Sequence, residues 1–167
     1  MDDGVARTAG TENLHREIFQ MSDKLLIEFS KSSSSWETVF AVLNIPDLSD
    51  AQYFQASNIF KNKLKIDFVT LKYQGGADMG TKIRDKLFQI VKSFCALNKP
   101  AFIMENMCLG FAYIIMHVHQ EWPTLINDLV NSLSNTQSEV ISLLKIVGFM
   151  ASEADDDNVV IEESLRE

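Results

Sequence analysis

Apolar residues recur three and four positions apart along most of the chain, which is the spacing of one face of an α-helix. The first such stripe lies in residues 12–31, and six more follow before residue 152. No segment shows the sustained period-two alternation that is typical of a strand. The pattern therefore predicts an all-α protein of seven helices. The first stripe consists of Leu14, Ile18, Met21, Leu25 and Phe29, and the later helices are predicted over residues 35–45, 50–67, 81–97, 101–118, 123–133 and 137–151.

Local signals predict where several of these helices begin and end. Three hydroxyl residues are each followed, three positions later, by Gln or Glu, which is the spacing of a capping box. Pro46 should stop the second helix, whereas Pro100 and Pro123 should open helices, because a proline in the first turn loses no hydrogen bond. Residues 72–80 carry three of the seven glycines and are predicted to form a loop. The capping pairs are Ser34 with Glu37, Ser49 with Gln52, and Thr136 with Glu139.

The helices that begin near residues 35, 80 and 123 are 45 and 43 residues apart, and each is followed by a second helix. Two helices in roughly 40–47 residues is the period of HEAT and armadillo repeats. Such units stack into a solenoid because one unit alone cannot bury its apolar face. A single compact bundle could share the helix count, but the period favours the solenoid.

The repeat divides the chain into three parts. We expect residues 1–11 to be a flexible N-terminus and residues 12–152 to be an array of about three and a half helix pairs. Residues 153–167 should be an acidic loop followed by the start of a further helix. The helix at 12–31 has no partner in this scheme, and no polar capping repeat closes the C-terminal end. The pattern therefore predicts a fragment of a longer solenoid.

Charge and composition narrow the classes of function. The net charge of −8, from 15 Lys and Arg against 23 Asp and Glu, argues against nucleic-acid binding, which needs clustered basic residues. The longest apolar stretch, residues 107–118, is shorter than the roughly 20 residues that span a membrane. The acidic N-terminus does not resemble a signal peptide. We expect a soluble, intracellular protein with neither a membrane nor a nucleic-acid partner.

No constellation in the sequence predicts catalysis or metal binding. His117 and His119 are two positions apart, so on a helix they point in different directions and cannot share a metal ion. Cys95 and Cys108 have neither metal nor redox spacing. The glycines of the loop are not followed by the Lys and Ser or Thr of a phosphate-binding loop. The prediction is a protein that is not an enzyme and holds no cofactor or metal.

Residues 56–64, Ala-Ser-Asn-Ile-Phe-Lys-Asn-Lys-Leu, resemble a second-repeat motif of the importin-beta (karyopherin) superfamily, roughly Ala-Ala-x-x-Leu-Lys-Asn-Lys-Ile. Three further motifs lie in the family's order and spacing. The resemblance covers about residues 14–150 and is closest to the transportin-SR branch. That branch has Leu-Pro-Glu-Glu near residue 150, and because this chain lacks the proline, its last helix is free to run further. The matching residues are Ala56, Phe60, Lys61, Asn62, Lys63 and Leu64, then Phe29-Ser30-Lys31-Ser32 with Trp36, Ile83-Arg84-Asp85-Lys86-Leu87, and Trp122.

The resemblance implies a right-handed superhelix of HEAT repeats and a function in nuclear transport. Members of the family bind the GTPase Ran in its GTP form through the second helices of successive N-terminal repeats. They also bind phenylalanine-glycine nucleoporins, and they shuttle between cytoplasm and nucleus. Their cargo, here basic or Ser/Arg-rich proteins, binds largely beyond this part of the chain. The acidic net charge is of the sign that steers basic cargo toward the receptor.

Polar stripes on three helices are the candidate Ran-binding residues. Stacked side by side, these stripes would form one concave surface of mixed charge, although each residue taken singly fits an ordinary solvated face. The alternative function is a HEAT-repeat interaction scaffold without a role in transport, and an enzyme is a distant third. The candidate residues are Gln55, Asn58, Asn62 and Lys65 on the helix at 50–67, Glu105, Asn106, Tyr113 and His117 on the helix at 101–118, and Glu139, Ser142 and Lys145 on the helix at 137–151.

Overall fold

The computed structural model describes residues 3–32, 35–66, 68, 79–119 and 122–153 of the chain. Within these residues there is no strand, and the all-α prediction is confirmed. Each predicted helix is present. The helices are α1 (Asp3–Lys31), α2 (Ser35–Leu43), α3 (Asp50–Ile66), α4 (Met79–Ala96), α5 (Ala101–Val118), α6 (Leu125–Ser132) and α7 (Gln137–Glu153).

Several helix ends differ from the sequence prediction: α2 ends at Leu43, α4 begins at Met79 inside the predicted loop, and α6 begins at Leu125, two residues after Pro123. Residues 3–11 belong to α1 and are not a separate flexible N-terminus. Extending a helix adds one hydrogen bond for each residue fixed, whereas starting one is costly, so α1 continues through Ala9 and Ala6 to Asp3. At the other terminus, Glu153 ends α7 and does not begin a loop. The remaining predictions for residues 154–167 lie outside the described residues.

Capping interactions hold the helix ends that the sequence marks. At the start of α3, the Ser49 hydroxyl accepts a hydrogen bond from the backbone N–H of Gln52 at 3.3 Å, and the backbone N–H of Ser49 donates to the Gln52 side-chain oxygen at 3.0 Å. At the start of α7, Thr136 and Glu139 form the same reciprocal pair. Both capping boxes are therefore confirmed. The third pair includes Ser34, which lies outside the described residues, as do residues 72–78 of the predicted loop.

The α4–α5 connection closes with a Schellman motif. Asn98 has φ 49°, in the left-handed region that Asn tolerates better than most residues. The Lys99 N–H donates to the Phe94 carbonyl and the Asn98 N–H to the Cys95 carbonyl, at 3.0 and 3.1 Å. These bonds satisfy two of the last carbonyls of α4. The chain then turns through Pro100 into α5, so α4 and α5 pack as an antiparallel pair.

The chain divides into two units, of which the first ends at Glu37 and the second begins at Thr38, so the boundary falls within α2. In the first unit, Ile18, Met21 and Leu25 are each more than half exposed. Three of the five residues of the stripe predicted for α1 are therefore exposed, and Phe29 is partly exposed. No second long helix accompanies α1 among the described residues of this unit.

In the second unit, α3, α5 and α7 lie side by side and run in the same direction. Residues of α3, and Phe68 beyond its end, meet residues of α5 that are 48 or 49 positions later: Phe54 meets Phe102, Ser57 meets Asn106, and Phe68 meets His117. Residues of α5 meet residues of α7 that are 40 positions later, in the pairs Glu105–Lys145 and Tyr113–Glu153. A constant offset along each pair shows that the neighbouring helices are parallel and in fixed register.

The helices that precede them form the other side of the unit. Phe40 of α2 packs edge-on against Phe60 of α3, and Phe88 of α4 packs against Phe111 of α5, with ring centroids 4.9 and 4.7 Å apart. Before α6, the Trp122 indole N–H donates to Asp128 at 2.6 Å. This bond is the first cause of the lowered pKa of Asp128. The Arg84 guanidinium lies 4.8 Å from the Trp122 ring, so the tryptophan joins α4 to α6.

Helix α5 occupies the centre of the second unit, with α3 and α7 on either side and α4 against it. It is buried on most sides, as its nearly continuous apolar sequence predicts. Among the described helices, α5 alone is long and apolar enough to cross a membrane by length and composition. Its 18 residues have a mean hydropathy of 1.5, and 72% of the segment is buried within the protein. Burial of that extent is typical of a helix in the interior of a folded domain.

Two glycines provide a matched test of this packing. A Cβ on Gly110 of α5 would lie 3.1 Å from Cδ1 of the fully buried Leu64, whereas a Cβ on Gly148 of α7 would meet nothing within 4 Å. We expect Gly110→Ala to lower the free energy of unfolding by about 1–2 kcal/mol, because overpacking outweighs the gain in helix propensity. Gly148→Ala should raise it by about 0.5–1 kcal/mol. Urea denaturation measures both, and equal effects would contradict the close approach of α3 to α5.

Candidate protein-interaction surface

A cluster of polar side chains joins the C-terminal parts of α3, α5 and α7. The Tyr113 hydroxyl donates to the Glu153 carboxylate at 2.9 Å, and the Lys65 ammonium lies 3.6 Å from the same carboxylate. The Lys65 ammonium also lies 5.6 Å from the centre of the Tyr113 ring. One carboxylate at the end of α7 therefore engages both of the other helices of the row.

Burial and the Glu153 carboxylate shift the pKa values of this cluster. Desolvation, followed by the hydrogen bond and the negative charge of Glu153, raises the pKa of Tyr113 to about 12. One turn before Lys65, burial lowers the pKa of Lys61, and the positive charge of Lys65 lowers it further. The Glu153 carboxylate raises the pKa of Lys61 and so opposes both effects. The carboxylate thus compensates two neighbouring lysines.

A second ion pair joins α5 to α7. The Lys145 ammonium donates to the Glu105 carboxylate at 2.8 Å, and roughly half of the Glu105 side chain is exposed. Glu105 and Tyr113 are eight residues apart on α5, as are their partners Lys145 and Glu153 on α7. Eight residues are about two helical turns, so both contacts lie on the same side of the two helices. We call the surface that carries Glu105, Lys145 and Glu153, together with the exposed and partly exposed polar residues of α3, the polar face.

The structure places most of the candidate residues at the polar face but removes several from it. Gln55, Asn62 and Glu105 are exposed, and Asn58, Lys65 and Lys145 are partly exposed. Asn106 is only 8% exposed and donates to the Ser57 hydroxyl at 3.1 Å, because it lies between α5 and α3. Tyr113 is 2% exposed, so its ring cannot meet a partner. The predictions that Asn106 and Tyr113 form an open binding surface are therefore wrong.

Three more candidate residues have structural partners. The Glu139 carboxylate accepts from the backbone N–H groups of Asn135 and Thr136, so it caps α7 and is buried. The Ser142 hydroxyl is buried and lies 3.4 Å from the Cys95 thiol, between α7 and α4. The His117 ring stacks on Phe68, with centroids 5.0 Å apart. Sequence periodicity cannot separate these residues from the polar face, because they lie beside it on the same helices.

The residues that carry the family resemblance mostly form core. Ala56, Phe60 and Leu64 are buried, and Cδ1 atoms of Leu64 and Phe60 lie 3.1 and 3.8 Å from where a Cβ on Gly110 of α5 would be. Lys63 is buried too, whereas Asn62 is exposed and Lys61 is partly exposed. The motif therefore does two things in this fold. It supplies the surface that packs against α5, and it leaves one amide and part of one lysine at the outside.

Glu153 is the residue of the polar face that sequence reasoning missed. The acidic run after it led to its assignment to a solvated loop, although the absence of a proline near residue 150 allowed the helix to continue. The spacing of 40 residues that pairs Glu105 with Lys145 also pairs Tyr113 with Glu153. That repeat of spacing is the signal that could have found it.

The described residues offer little for catalysis. No group of three His, Cys, Asp or Glu that could hold a metal ion occurs among them. An open cleft of about 570 Å³ lies between the end of α4 and the start of α7, next to Cys95, but its carboxylate Glu139 is occupied by the helix cap. Burial raises the pKa of the Cys108 thiol to about 12, which keeps it protonated and unreactive at neutral pH.

Comparison with known proteins finds a distant yeast relative and no matching family. No family model matches the chain. The uncharacterized protein C11G11.07 of Schizosaccharomyces pombe is 25% identical over 144 residues, which are 86% of this chain. Those residues are 14% of the yeast protein, so the chain corresponds to a small part of a much longer relative.

The Tyr113–Glu153 contact predicts a pH dependence. An unfolded tyrosine loses its proton near its ordinary pKa of 10, whereas folded Tyr113 keeps it to about pH 12. The stability that this shift supplies is complete below pH 10 and is lost as the pH rises from 10 to 12. We expect the free energy of unfolding of Tyr113→Phe to fall less steeply between pH 10 and pH 12 than that of the unmodified chain. Glu153→Gln should move the ultraviolet tyrosinate transition of Tyr113 to lower pH, and an unmoved transition would contradict the contact.

Removing the exposed Glu105–Lys145 ion pair should lower the free energy of unfolding less than removing the buried amide of Asn106. We expect Glu105→Ala and Lys145→Ala to lower the free energy of unfolding by less than about 1 kcal/mol each, because solvent screens exposed ion pairs. Asn106→Ala should cost about 1–3 kcal/mol, because it removes a buried hydrogen bond to Ser57. Urea denaturation of the three variants tests this. Equal losses at positions 105 and 106 would show that the polar face itself holds the fold together.

Proposed function

We propose that the chain is the N-terminal HEAT-repeat region of an importin-beta-type nuclear transport receptor, and that the polar face binds Ran in its GTP form. The observation that carries the proposal is the parallel row of α3, α5 and α7, with its two constant offsets. Parallel neighbours in fixed register are what successive helix pairs of a solenoid produce, because each intervening first helix returns the chain to its starting end.

The sequence motifs supply the second support for the proposal. The resemblance to the superfamily rests on four motifs in order between Phe29 and Trp122. One of these, Trp122, has a defined task in the fold, since it links α4 to α6 at the point where a new helix pair begins. In the proposed solenoid, α2, α4 and α6 are the first helices of their pairs and α3, α5 and α7 the second. The second helices are the ones that the family uses to bind Ran.

The chemistry of the polar face suits a folded protein partner of mixed charge. Gln55 and Asn62 offer exposed amides, Glu105 and Lys145 offer one charge of each sign, and Lys65 is partly exposed. Because Glu105 and Lys145 already satisfy each other, a partner must exchange that pair for contacts of its own. Such exchange contributes more to specificity than to raw affinity. The surface of a GTPase that carries side chains of both charges is therefore a better partner for the polar face than a polyanion.

Other parts of the proposal follow from the family and from the net charge. The acidic chain would attract basic or Ser/Arg-rich cargo over long range. Phenylalanine-glycine nucleoporins would bind elsewhere on the solenoid, and the receptor would shuttle between nucleus and cytoplasm. Because the chain corresponds to 14% of its yeast relative, most of the cargo surface of such a receptor would lie in other repeats.

A calorimetric titration against Ran tests the proposal directly. We expect the chain to bind Ran loaded with GTP and to bind Ran loaded with GDP at least tenfold more weakly, a coupling of the size that switch proteins show. Gln55→Arg and Lys145→Glu should each weaken binding by about tenfold, because each places bulk or the wrong charge at the centre of the interface.

Matched variants on α4 provide the controls. Gln89 and Lys92 are exposed residues of a first helix, so Gln89→Arg and Lys92→Glu should leave Ran binding unchanged while making the same chemical changes. If neither this chain nor the full-length yeast relative binds Ran-GTP, the transport proposal fails. If control and test variants weaken binding equally, the partner does not use the polar face.

The alternative is a HEAT-repeat scaffold without a transport role. It is favoured by the internal pairing of the charges on α5 and α7, which a purely structural row of helices would also show. Retention on immobilised phenylalanine-glycine repeats separates the two functions. A transport receptor should be retained weakly, whereas a generic scaffold should pass through with an unrelated helical protein run as the control.

A further inference from the structure

Two phenylalanine rings lie exposed side by side near the beginnings of α3 and α5. The ring centroids of Phe54 and Phe102 are 5.5 Å apart, and the ring planes meet at 73°. The two residues are 37% and 47% exposed. In each of the other ring pairs among the described residues, at least one ring is buried. We call Phe54 and Phe102 the exposed ring pair.

The exposed ring pair adjoins the polar face. On α5, Phe102 precedes Glu105 by three residues, and on α3, Phe54 precedes the partly exposed Asn58 by four. Residues three or four apart on a helix are neighbours on the same side of it. A protein that binds the polar face can therefore also reach the two rings.

Cations of the chain itself cover several other aromatic rings of the second unit, but among the described residues none lies over the exposed ring pair. The face of an aromatic ring attracts a cation because its electrostatic potential is negative. In an edge-to-face pair, each ring keeps at least one face that the other ring does not cover. The rings that already carry a cation are Tyr113 with Lys65, Trp122 with Arg84, Phe40 with Lys86, and Tyr53 with Lys99.

Two carboxylates flank the exposed ring pair. Asp50 is exposed one turn before the ring of α3, and Glu105 is about half exposed one turn after the ring of α5. Two nearby ammonium groups already have partners, since Lys145 pairs with Glu105 at 2.8 Å and Lys99 lies 3.9 Å from the centre of the Tyr53 ring. A carboxylate accepts several hydrogen bonds, so Glu105 can receive a second cation and keep Lys145.

We propose that the exposed ring pair binds an arginine side chain of a protein partner. The guanidinium lies over a ring face and donates to Asp50 or Glu105 beside it. A planar, forked and weakly hydrated cation suits rings flanked by carboxylates better than the compact ammonium of lysine. The net charge of −8 attracts a basic partner over long range. This inference goes beyond the proposed function, since it holds whether or not the polar face binds Ran.

Binding of two matched peptides to the full chain tests the proposal, with no Ran present. One peptide alternates Arg with Gly and the other alternates Lys with Gly, so the two have the same length and charge. Fluorescence anisotropy at low ionic strength measures both affinities, because salt screens exposed charges. We expect the Arg peptide to bind about threefold more tightly than the Lys peptide, which is the size of a cation–π preference at an exposed site.

Variants separate the rings from the general charge of the chain. Phe102→Leu keeps the apolar bulk and every charge, so it should abolish the preference for the Arg peptide and leave the affinity for the Lys peptide unchanged. Phe54→Leu makes the same change on α3. Asp50→Asn should weaken binding of the Arg peptide about threefold, as loss of an exposed ion pair would. Asp85→Asn is the matched control, because it removes the same charge from an exposed position of α4.

Equal affinities for the two peptides, or no binding of either, would overturn the proposal. A preference for the Arg peptide that survives both leucine substitutions would place the arginine elsewhere and overturn it too. Equal losses in Asp50→Asn and Asp85→Asn would show attraction by net charge alone, which also contradicts it. An unchanged urea midpoint shows that each variant remains folded. Because the assay contains no Ran, its failure and the failure of the transport proposal are separate results.

Discussion

The contact between Gly110 and the α3 helix is the constraint on which the second unit depends. At this point a hydrogen replaces a side chain on α5, and the Leu64 side chain occupies the space. Close approach of the two backbones fixes the register at 48 or 49 residues along the rest of the α3–α5 contact, from Phe54 to His117. Because α5 is buried on nearly all sides, its position then determines where α4 and α7 can pack. The polar face follows from that register.

Fixed register also explains why the polar contacts recur. Parallel helices that keep one offset bring residues two turns apart on one helix against residues two turns apart on the next. Glu105 and Tyr113 therefore meet Lys145 and Glu153 in turn. The Glu105–Lys145 contact is exposed and contributes little to stability. The Tyr113–Glu153 contact is partly buried and raises the pKa of Tyr113, and together with Lys65 it joins three helices. The same offset of 40 residues thus produces one contact that a partner could replace and one contact that holds the helices together.

Helix content could be predicted well, because apolar spacing and caps are local properties. Ser49 with Gln52 and Thr136 with Glu139 act within one turn, so their roles can be inferred without tertiary structure. The exposure of the α1 stripe could not be predicted, since burial depends on what lies beside a helix and not on its own period. The start of α1 at Asp3 was missed because helix extension is cheap even where the apolar pattern ends.

The candidate site could be predicted only in part for a related reason. A polar residue on a helix can face water, a neighbouring helix or its own cap, and spacing alone does not distinguish these. Asn106 lies one residue from Glu105, yet the first is hydrogen-bonded inside the α3–α5 contact and the second is exposed. A rotation of 100° separates the two environments. Polar residues at the margin of a helical stripe are therefore the ones for which sequence is least informative, and they include the residues that hold such a surface in place.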